Sequence, residues 1–294
     1  MSIRIKFNLV MLVVFAIGFG AAAVLVKQTL VENAKDEVAL KAAIMMEAAR
    51  SMRSYTVEEI RPLLNQIETD EFISQTVPAY AATENMKRLR NTYPDYSYKE
   101  AVLNPTNLEH KAADWEEDII QYFRNYEDVT EYSGVRDTPT GQYLFLSRPF
   151  KITKKGCLSC HSTPDVAPPA MVAKYGPTNG FGWKHNEIVG AQIVNVPMDI
   201  PLARADETFQ VFMIILGSVF VAIWAILNLL LHMIIIKRIN AIAHNANEIS
   251  KGDMSIPEFD MKGSDEISSL GHSFNLMYRS LTSAVKLLDK TQTR

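Results

Sequence analysis

Two long apolar stretches separate a polar middle segment from the two ends of the chain. The first runs from about Phe7 to Val26 and the second from about Phe209 to Ile236. A helix of roughly 20 apolar residues is long enough to cross a bilayer. The pattern therefore predicts two transmembrane helices, in residues 7–27 and 208–236.

Basic residues flank these spans and predict their orientation. Arg4 and Lys6 precede the first span, and Lys237 and Arg238 follow the second. Positively charged flanks stay in the cytoplasm, and the first span lacks an evident cleavage site, which indicates an uncleaved signal anchor. For a bacterial inner membrane we expect a cytoplasmic N-terminus (1–6), a first span (7–27), a periplasmic domain (28–207), a second span (208–236) and a cytoplasmic domain (237–294).

The helical pattern continues beyond the first span as a stalk. Apolar residues recur every seven positions, at Val31, Val38, Met45 and Met52, and no Pro or Gly occurs from Val26 to Arg61. This spacing is typical of a long helix with one apolar stripe. The stripe could pack against the same helix of a second subunit or against the chain's own domain. Pro62 predicts a kink or a restart.

The rest of the middle segment mixes helical and strand patterns. We predict short helices with loops from Glu71 to Tyr98, a helix from Leu108 to Arg124, a hairpin of strands Asp128–Arg136 and Gln142–Ile152, an irregular stretch from Pro164 to Gly182 and a last strand Ile188–Pro197. Pro and Gly in residues 137–141 supply the hairpin turn. These elements predict an α+β domain.

The C-terminal segment carries two heptad-like seams. The first comprises Ile239, Ile242, Ala246 and Ile249, and the second comprises Ile267, Leu270, Phe274, Met277, Leu281, Ala284 and Leu288. A connector with Gly252-Asp253, Ile256, Pro257, Phe259 and Met261 joins them. Two short amphipathic helices cannot bury both seams alone, so we expect a parallel four-helix bundle formed by a homodimer.

Candidate chemistry is concentrated in the sequence Cys157-Leu158-Ser159-Cys160-His161. This is the C-x-x-C-H attachment signal of a c-type haem, in which two thiols add to the porphyrin vinyl groups and the histidine becomes an axial iron ligand. The chain has two cysteines and both lie here. A half zinc site would need further ligands, and a thioredoxin-like redox pair would need a βαβ context. The net charge of −3 does not favour a nucleic-acid partner.

The cytoplasmic segment resembles a HAMP domain over Lys237–Lys290. The matching features are Gly252-Asp253, Asp265-Glu266-Ile267 and Phe274-Asn275 with Met277. Asn240 stands where that family usually has proline, and Ser268 stands where it usually has glycine. The resemblance implies a signal-transducing helical bundle.

Residues from about Arg53 to Pro197 resemble the single-haem, PAS-like periplasmic domain of bacterial c-type haem sensors. The resemblance rests on Tyr55 with Arg61-Pro62, Asn104 to Asn107 with Trp115-Glu116, Arg148-Pro149, Cys157 to His161, Gly180 to Trp183 and Gly190 to Gln192. It implies a five-stranded antiparallel sheet with one haem c at its side.

The sixth iron position is left open by the sequence. A cysteine ligand, used in some relatives of the sensor domain, is excluded because both cysteines are needed for attachment. The candidates are Tyr55, Met52, His110, Met171 and His185, or no protein ligand. Basic residues that could pair with the haem propionates are Arg148, Lys151 and Lys155, and candidate pocket walls are Phe150, Phe181, Trp183 and Tyr143.

Two functions fit this organisation. The first is a transmembrane sensor that responds to redox state or to NO, CO or O2 and biases the HAMP bundle through the second span. Since no kinase, cyclase or methyl-accepting region follows in this sequence, we expect a separate cytoplasmic signalling partner. The alternative is a membrane-anchored electron-transfer cytochrome with a periplasmic redox partner. No nucleophile–base pair or phosphate loop indicates an enzyme.

Overall fold

The structure, a computed structural model, describes residues 1–259 and 263–292, and side chains up to residue 287. Met261 of the connector and the side chain of Leu288 therefore lie outside the described part. The chain divides into two compact units, one of Met1–Ala22 with Phe212–Arg294 and one of Ala23–Val211. The helices are α1 (Ile3–Tyr55), α2 (Arg61–Leu64), α3 (Pro78–Leu89), α4 (Asp114–Asn125), α5 (Leu158–His161), α6 (Pro169–Tyr175), α7 (Asp199–Leu230), α8 (Lys237–Ser250) and α9 (Glu266–Gln292).

The long N-terminal helix is confirmed, and both predicted spans lie in helices. Helix α1 runs without interruption to Tyr55 and continues into a π-helical turn, Thr56–Ile60. Pro62 lies at the start of α2, directly after the π-helical turn, and the backbone stays helical across this junction, so a change of helix type stands where a kink or a restart was predicted. Helical segments Ile3–Leu64 and Asp199–Ser250 are long and apolar enough to cross a membrane, with peak mean hydropathy of 2.8 and 2.6.

The middle segment folds around an antiparallel sheet. Its strands are β1 (Ser97–Val102), β2 (Tyr132–Thr138), β3 (Gly141–Lys151) and β4 (Ile188–Pro197), in the order β1-β4-β3-β2. The hairpin is confirmed, although β2 begins at Tyr132, and the last strand has the predicted bounds. The described residues form four strands, whereas the family resemblance implied five.

Four local expectations were wrong. Strand β1 begins within the segment expected to form short helices and loops, although α3 does form there. The helix expected from Leu108 begins only at Asp114, because Lys111 forms a parallel bridge with Val102 that keeps the chain extended. Helix α6 lies in the stretch expected to be irregular, with Pro169 at its first position. The Cys157–His161 segment, expected in a loop, is helical: Cys157 is the last residue of a 3-10 turn, and Leu158–His161 form α5.

The apolar stripe of α1 packs against the chain's own domain. Buried residues of α1 and α3 meet one face of the sheet in a cluster of Val38, Ala42, Met45, Met46, Ala49, Ala82, Met86, Tyr98, Leu144, Leu146, Val194, Val196 and Met198. Helix α4 packs on the opposite face through Ile119, Ile120 and Phe123. Because side chains alternate along a strand, neighbouring residues of β3 and β4 serve the two clusters. The sequence left open whether the apolar stripe packs against a second subunit or against the chain's own domain. In the structure it packs against the chain's own sheet.

The two spans are joined by a polar cluster among their apolar side chains. The Asn8 and Asn228 carboxamides exchange hydrogen bonds of 3.0 and 2.9 Å, and the Trp224 indole N–H donates to Asn8 Oδ1 at 2.7 Å. Interhelical hydrogen bonds of this kind contribute on the order of 0.6 kcal/mol each in membranes. Phe15 and Phe220 stack nearby, with ring centroids 4.8 Å apart.

The C-terminal helices α8 and α9 are connected by an extended segment that is fastened to α9. Asn275 exchanges two hydrogen bonds with the Phe259 backbone, at 3.2 and 3.1 Å. The Tyr278 hydroxyl donates to the carbonyls of Met254 and Ile256. Seam residues Ile242 and Ile249 of α8 are buried, whereas seam residues Leu270, Met277 and Leu281 of α9 remain exposed.

Candidate functional site

The two cysteines and the histidine are brought together in a short helical segment. Cys157 ends the 3-10 turn Lys155–Cys157, and Cys160 and His161 lie in α5. Both thiols are free and partly exposed. Cys157 and Leu158 also pack, with Phe150 and Trp183, on the buried residues Val102, Ile152 and Val189. The segment is thus seated on a buried cluster at the end of the sheet, while both cysteines stay partly exposed.

His161 is held in one orientation by its surroundings. Its Nδ1 lies 2.7 Å from the carbonyl oxygen of Gly180, so Nδ1 carries the proton and donates it. The imidazole stacks on Trp183, with ring centroids 4.0 Å apart and an interplanar angle of 12°. Burial lowers the pKa of His161, partly opposed by the Gly180 hydrogen bond, so the ring is neutral at pH 7. This tautomer leaves the lone pair of Nε2 available to a metal.

The loop that carries the Gly180 carbonyl is fixed by residues before α4. The Asn104 side chain accepts from Gly180 N at 3.2 Å and donates to the Phe181 carbonyl at 3.3 Å. Gly180 has φ +81°, and a Cβ there would lie 2.0 Å from Thr106 Oγ1. Gly182 N and Trp183 N donate to the carbonyls of Ser162 and His161. These contacts join the loop to α5 on one side and to Asn104 and Thr106 on the other.

A buried ion pair lies beside the attachment segment. Arg53, near the end of α1, places Nη1 2.5 Å from both carboxylate oxygens of Glu100 in β1. The Tyr98 hydroxyl donates to Glu100 Oε1 at 2.8 Å, and Gln192 Nε2 donates to Tyr98 Oη at 3.0 Å. Burial lowers the pKa of Arg53, but Glu100, Tyr98 and Cys157 outweigh burial, so the pKa is raised. Burial, followed by the Glu100 charge, raises the pKa of Tyr98 well above its usual value.

Among the residues predicted as pocket walls, Trp183 lies against the histidine and Phe150 lies against Trp183. Trp183 stacks on His161, and Phe150 meets Trp183 edge to face with ring centroids 6.1 Å apart. Phe181 is half-buried, and its carbonyl accepts the Asn104 hydrogen bond. Arg148 is paired instead with Glu47 of α1 and with Glu131, so two carboxylates already balance its charge.

The candidates for a sixth ligand are spread over different environments. Tyr55 and His185 are exposed, and Met52 is half-buried near the end of α1. Met171 is buried in α6. The Nδ1 atom of His110 is buried without a hydrogen-bond partner, and burial lowers the pKa of this ring. Sequence reasoning assigned no role to Arg53, Glu100, Asn104 or Thr106, although Asn104 and Thr106 lie in the motif that supported the family resemblance.

The arrangement suits attachment of a c-type haem. Two free, partly exposed cysteines three residues apart precede a histidine whose Nδ1–H is bonded to a carbonyl, and the adjoining surface is apolar and aromatic. Thiols attach a porphyrin and an imidazole ligates its iron. Within residues 1–259 and 263–292, no group of three or more His, Cys, Asp and Glu side chains converges to hold a metal ion. A zinc site on the two cysteines would therefore have no further protein ligands in that part of the chain.

Comparison with known proteins gives two family matches. Residues 31–197 match the family model of Tll0287-like proteins (Tll0287), and residues 230–283 match that of the HAMP domain. Among solved structures, the cyanobacterial haem protein Tll0287 is similar at 17% sequence identity and a TM-score of 0.42, over 55% of this chain and 95% of that chain. No curated protein matches the sequence significantly.

Proposed function

Since the chain belongs to the Tll0287-like family and also carries a HAMP domain, we propose that it is a membrane-bound c-type haem sensor. In this proposal Cys157 and Cys160 attach one haem, and His161 is an axial ligand of its iron. The signal is the redox state of the iron or a small gaseous ligand such as NO, CO or O2. The role is signal transduction rather than enzymatic catalysis.

The observation that carries the proposal is the environment of His161. Its Nδ1 donates to the Gly180 carbonyl and its face stacks on Trp183, directly after two free thiols. Each thiol adds across one vinyl group: the sulfur bonds to one vinyl carbon, and the thiol hydrogen is transferred to the other. The Gly180 carbonyl keeps Nε2 unprotonated and increases the basicity of the ligand. When bound, the haem would supply a redox-active iron that could also bind a small gaseous ligand.

The path from the site to the HAMP domain follows the chain. Strand β4 lies between β1 and β3, and α7 starts at Asp199, two residues after β4 ends. The main-chain N–H of Gln142 donates to Asp199 Oδ1, and that of Met198 donates to the Gln142 carbonyl, which fastens the start of α7 to the hairpin. A displacement of β4 would therefore act on the second span and on α8.

We place the haem domain in the periplasm of a bacterial inner membrane, with both chain ends in the cytoplasm. The support is the pair of candidate membrane helices and the basic residues outside them, Arg4 and Lys6 before the first and Lys237 and Arg238 after the second. Haem attachment to C-x-x-C-H motifs takes place on that side of the membrane.

We further propose that the protein acts as a homodimer. The α9 seam residues Leu270, Met277 and Leu281 are exposed, and so are Leu40 and Ile44 on the face of α1 that is turned away from its sheet. A second copy of α8 and α9 would cover the HAMP seams in a four-helix bundle. The signal would then pass to a separate cytoplasmic partner.

Absorption spectra of the purified full-length protein test the haem site. We expect the Soret and visible absorption bands of a haem in the reduced protein, and a shift of the Soret band on adding CO if the sixth position accepts gases. A reduced spectrum that is insensitive to CO would restrict the sensor to redox state. A colourless protein would contradict the proposal.

Crosslinking distinguishes a sensor from the alternative of an electron carrier. In a Met277→Cys variant, a bismaleimide would join the two copies of α9 across the seam. A sensor predicts different crosslinking yields for the oxidised, electrochemically reduced and CO-treated reduced protein. Equal yields in all three states would instead support a membrane-anchored cytochrome with a periplasmic redox partner.

A further inference from the structure

The Arg53–Glu100 ion pair is better explained by an electrostatic role than by a contribution to the stability of the fold. The Glu100 side chain is 2% exposed and the Arg53 side chain 21% exposed, so both charges have lost most of their water. Desolvation of two charges offsets most of their attraction, and apolar residues of similar volume often stabilise a fold equally well. The Glu100 carboxylate also accepts a hydrogen bond from the Tyr98 hydroxyl, which in turn accepts one from Gln192.

Arg53 is the member of the pair that faces the attachment segment. Its guanidinium carbon lies 5.1 Å from the centroid of Phe150, which meets Trp183 edge to face and packs on the same buried cluster as Cys157 and Leu158. Cys157 is also among the groups that raise the pKa of Arg53, after Glu100 and Tyr98. Glu100, in β1, pairs with the same guanidinium and accepts a hydrogen bond from the Tyr98 hydroxyl. A positive charge is therefore held next to the aromatic residue that shares a buried cluster with Cys157, and a carboxylate is bound to that charge.

From this geometry we infer that the Arg53–Glu100 pair sets the midpoint potential of the haem held by Cys157, Cys160 and His161. The inference rests on the proposed function. A fixed positive charge close to the iron favours the ferrous over the ferric state, and a nearby carboxylate has the opposite effect. Charges act more strongly in a poorly solvated site than in water. The carboxylate thus limits the rise in potential that an unpaired Arg53 would cause.

The first test is a spectroelectrochemical titration of the full-length protein in detergent at fixed pH and ionic strength. Glu100→Gln leaves Arg53 unpaired and should raise the midpoint potential. The double variant Arg53→Met with Glu100→Gln removes both charges and should lose that rise. An unchanged or lowered potential in Glu100→Gln overturns the inference, and so does a rise that persists in the double variant.

Two further variants keep the test decisive if Glu100→Gln does not fold. Arg53→Lys retains the positive charge and Arg53→Gln removes it, so only Arg53→Gln should lower the midpoint potential. Equal potentials in these two variants overturn the inference.

The matched control is Glu47→Gln. It breaks another ion pair between α1 and the sheet, with Arg148, but Glu47 is not part of the cluster around Cys157. Its potential should equal that of the wild type. A shift as large as that of Glu100→Gln would show that loosening α1 is sufficient and would overturn the inference. A wild-type protein without haem bands would instead refute the proposed function, so the two failures are distinguishable.

Discussion

At the scale of single residues, the direction of His161 depends on a glycine loop. The Gly180 carbonyl accepts a hydrogen bond from the imidazole, and the Asn104 side chain bonds the Gly180 N–H and the Phe181 carbonyl on either side of it. Gly180 combines a positive φ with close contact to Thr106, a combination that excludes a side chain. The geometry of the candidate ligand is therefore encoded partly in backbone conformation.

The sequence predicted Cys157, Cys160 and His161 as site residues because their spacing alone is informative. Asn104 and Thr106 reach the site across 76 and 55 residues of chain. Such contacts exist only after the sheet has formed, so local pattern could not predict them. The motif Asn104 to Asn107 was visible as a family feature, but its role required the fold.

Replacing Gly180 tests this dependence. Gly180→Ala would place a Cβ against Thr106 and should displace the loop, weaken the His161 hydrogen bond and broaden the Soret band. The control Gly182→Ala has the same φ of +81° with nothing within 4 Å. It should cost only backbone strain, about 1–2 kcal/mol of unfolding free energy. Thermal unfolding followed at the Soret band measures both variants, and equal losses would contradict the assigned role of Thr106.

At the scale of elements, α1 is the helix that connects the membrane to the sheet. Its seven-residue apolar period predicted the helix correctly, but periodicity carries no information about which surface covers a stripe. Strand β1 was missed in part because the buried Glu100 breaks the expected alternation of apolar and polar residues. The Glu100 charge is paired with Arg53 of α1. The residue that breaks the strand pattern therefore also joins β1 to α1.

Two adjacent alanines test the packing of α1. Ala49 is fully buried against the sheet cluster, whereas Ala48 is exposed. Ala49→Leu should overpack the interface and lower the unfolding free energy by about 1–3 kcal/mol. Ala48→Leu should change it by less than about 0.5 kcal/mol. Chemical denaturation of the two variants provides the comparison. Similar values would mean that α1 does not pack on the sheet in solution.

At the scale of the whole molecule, the sensor interpretation depends on continuity between a sheet strand and the HAMP helices. Two apolar seams were predicted from the sequence, and the structure leaves seam residues Leu270, Met277 and Leu281 of α9 exposed. Ser268, which replaces a customary glycine, accepts a hydrogen bond from Arg238 at 2.7 Å. Asp265 caps α9 through Ser268 N, and hydrogen bonds from Ser268, followed by Arg238, lower its pKa to about 2.

A charge in the first seam tests the dimeric bundle. Ile242 is 8% exposed in the seam of α8, and Ala243 beside it is exposed. In the Met277→Cys background, Ile242→Asp should reduce bismaleimide crosslinking between subunits several-fold, because an ionised carboxylate cannot be buried there without a partner. Ala243→Asp should leave the yield unchanged. Full crosslinking in Ile242→Asp would argue against a four-helix bundle.

Covalent binding of one haem through Cys157 and Cys160 underlies both the proposed sensor function and the role of Arg53 and Glu100. Haem staining of the protein on a denaturing gel, beside a variant with Cys157→Ala and Cys160→Ala, is the decisive experiment. We expect a stained band for the wild type and none for the variant at equal protein loading. An unstained wild-type band, or a variant that stains equally, would refute covalent attachment.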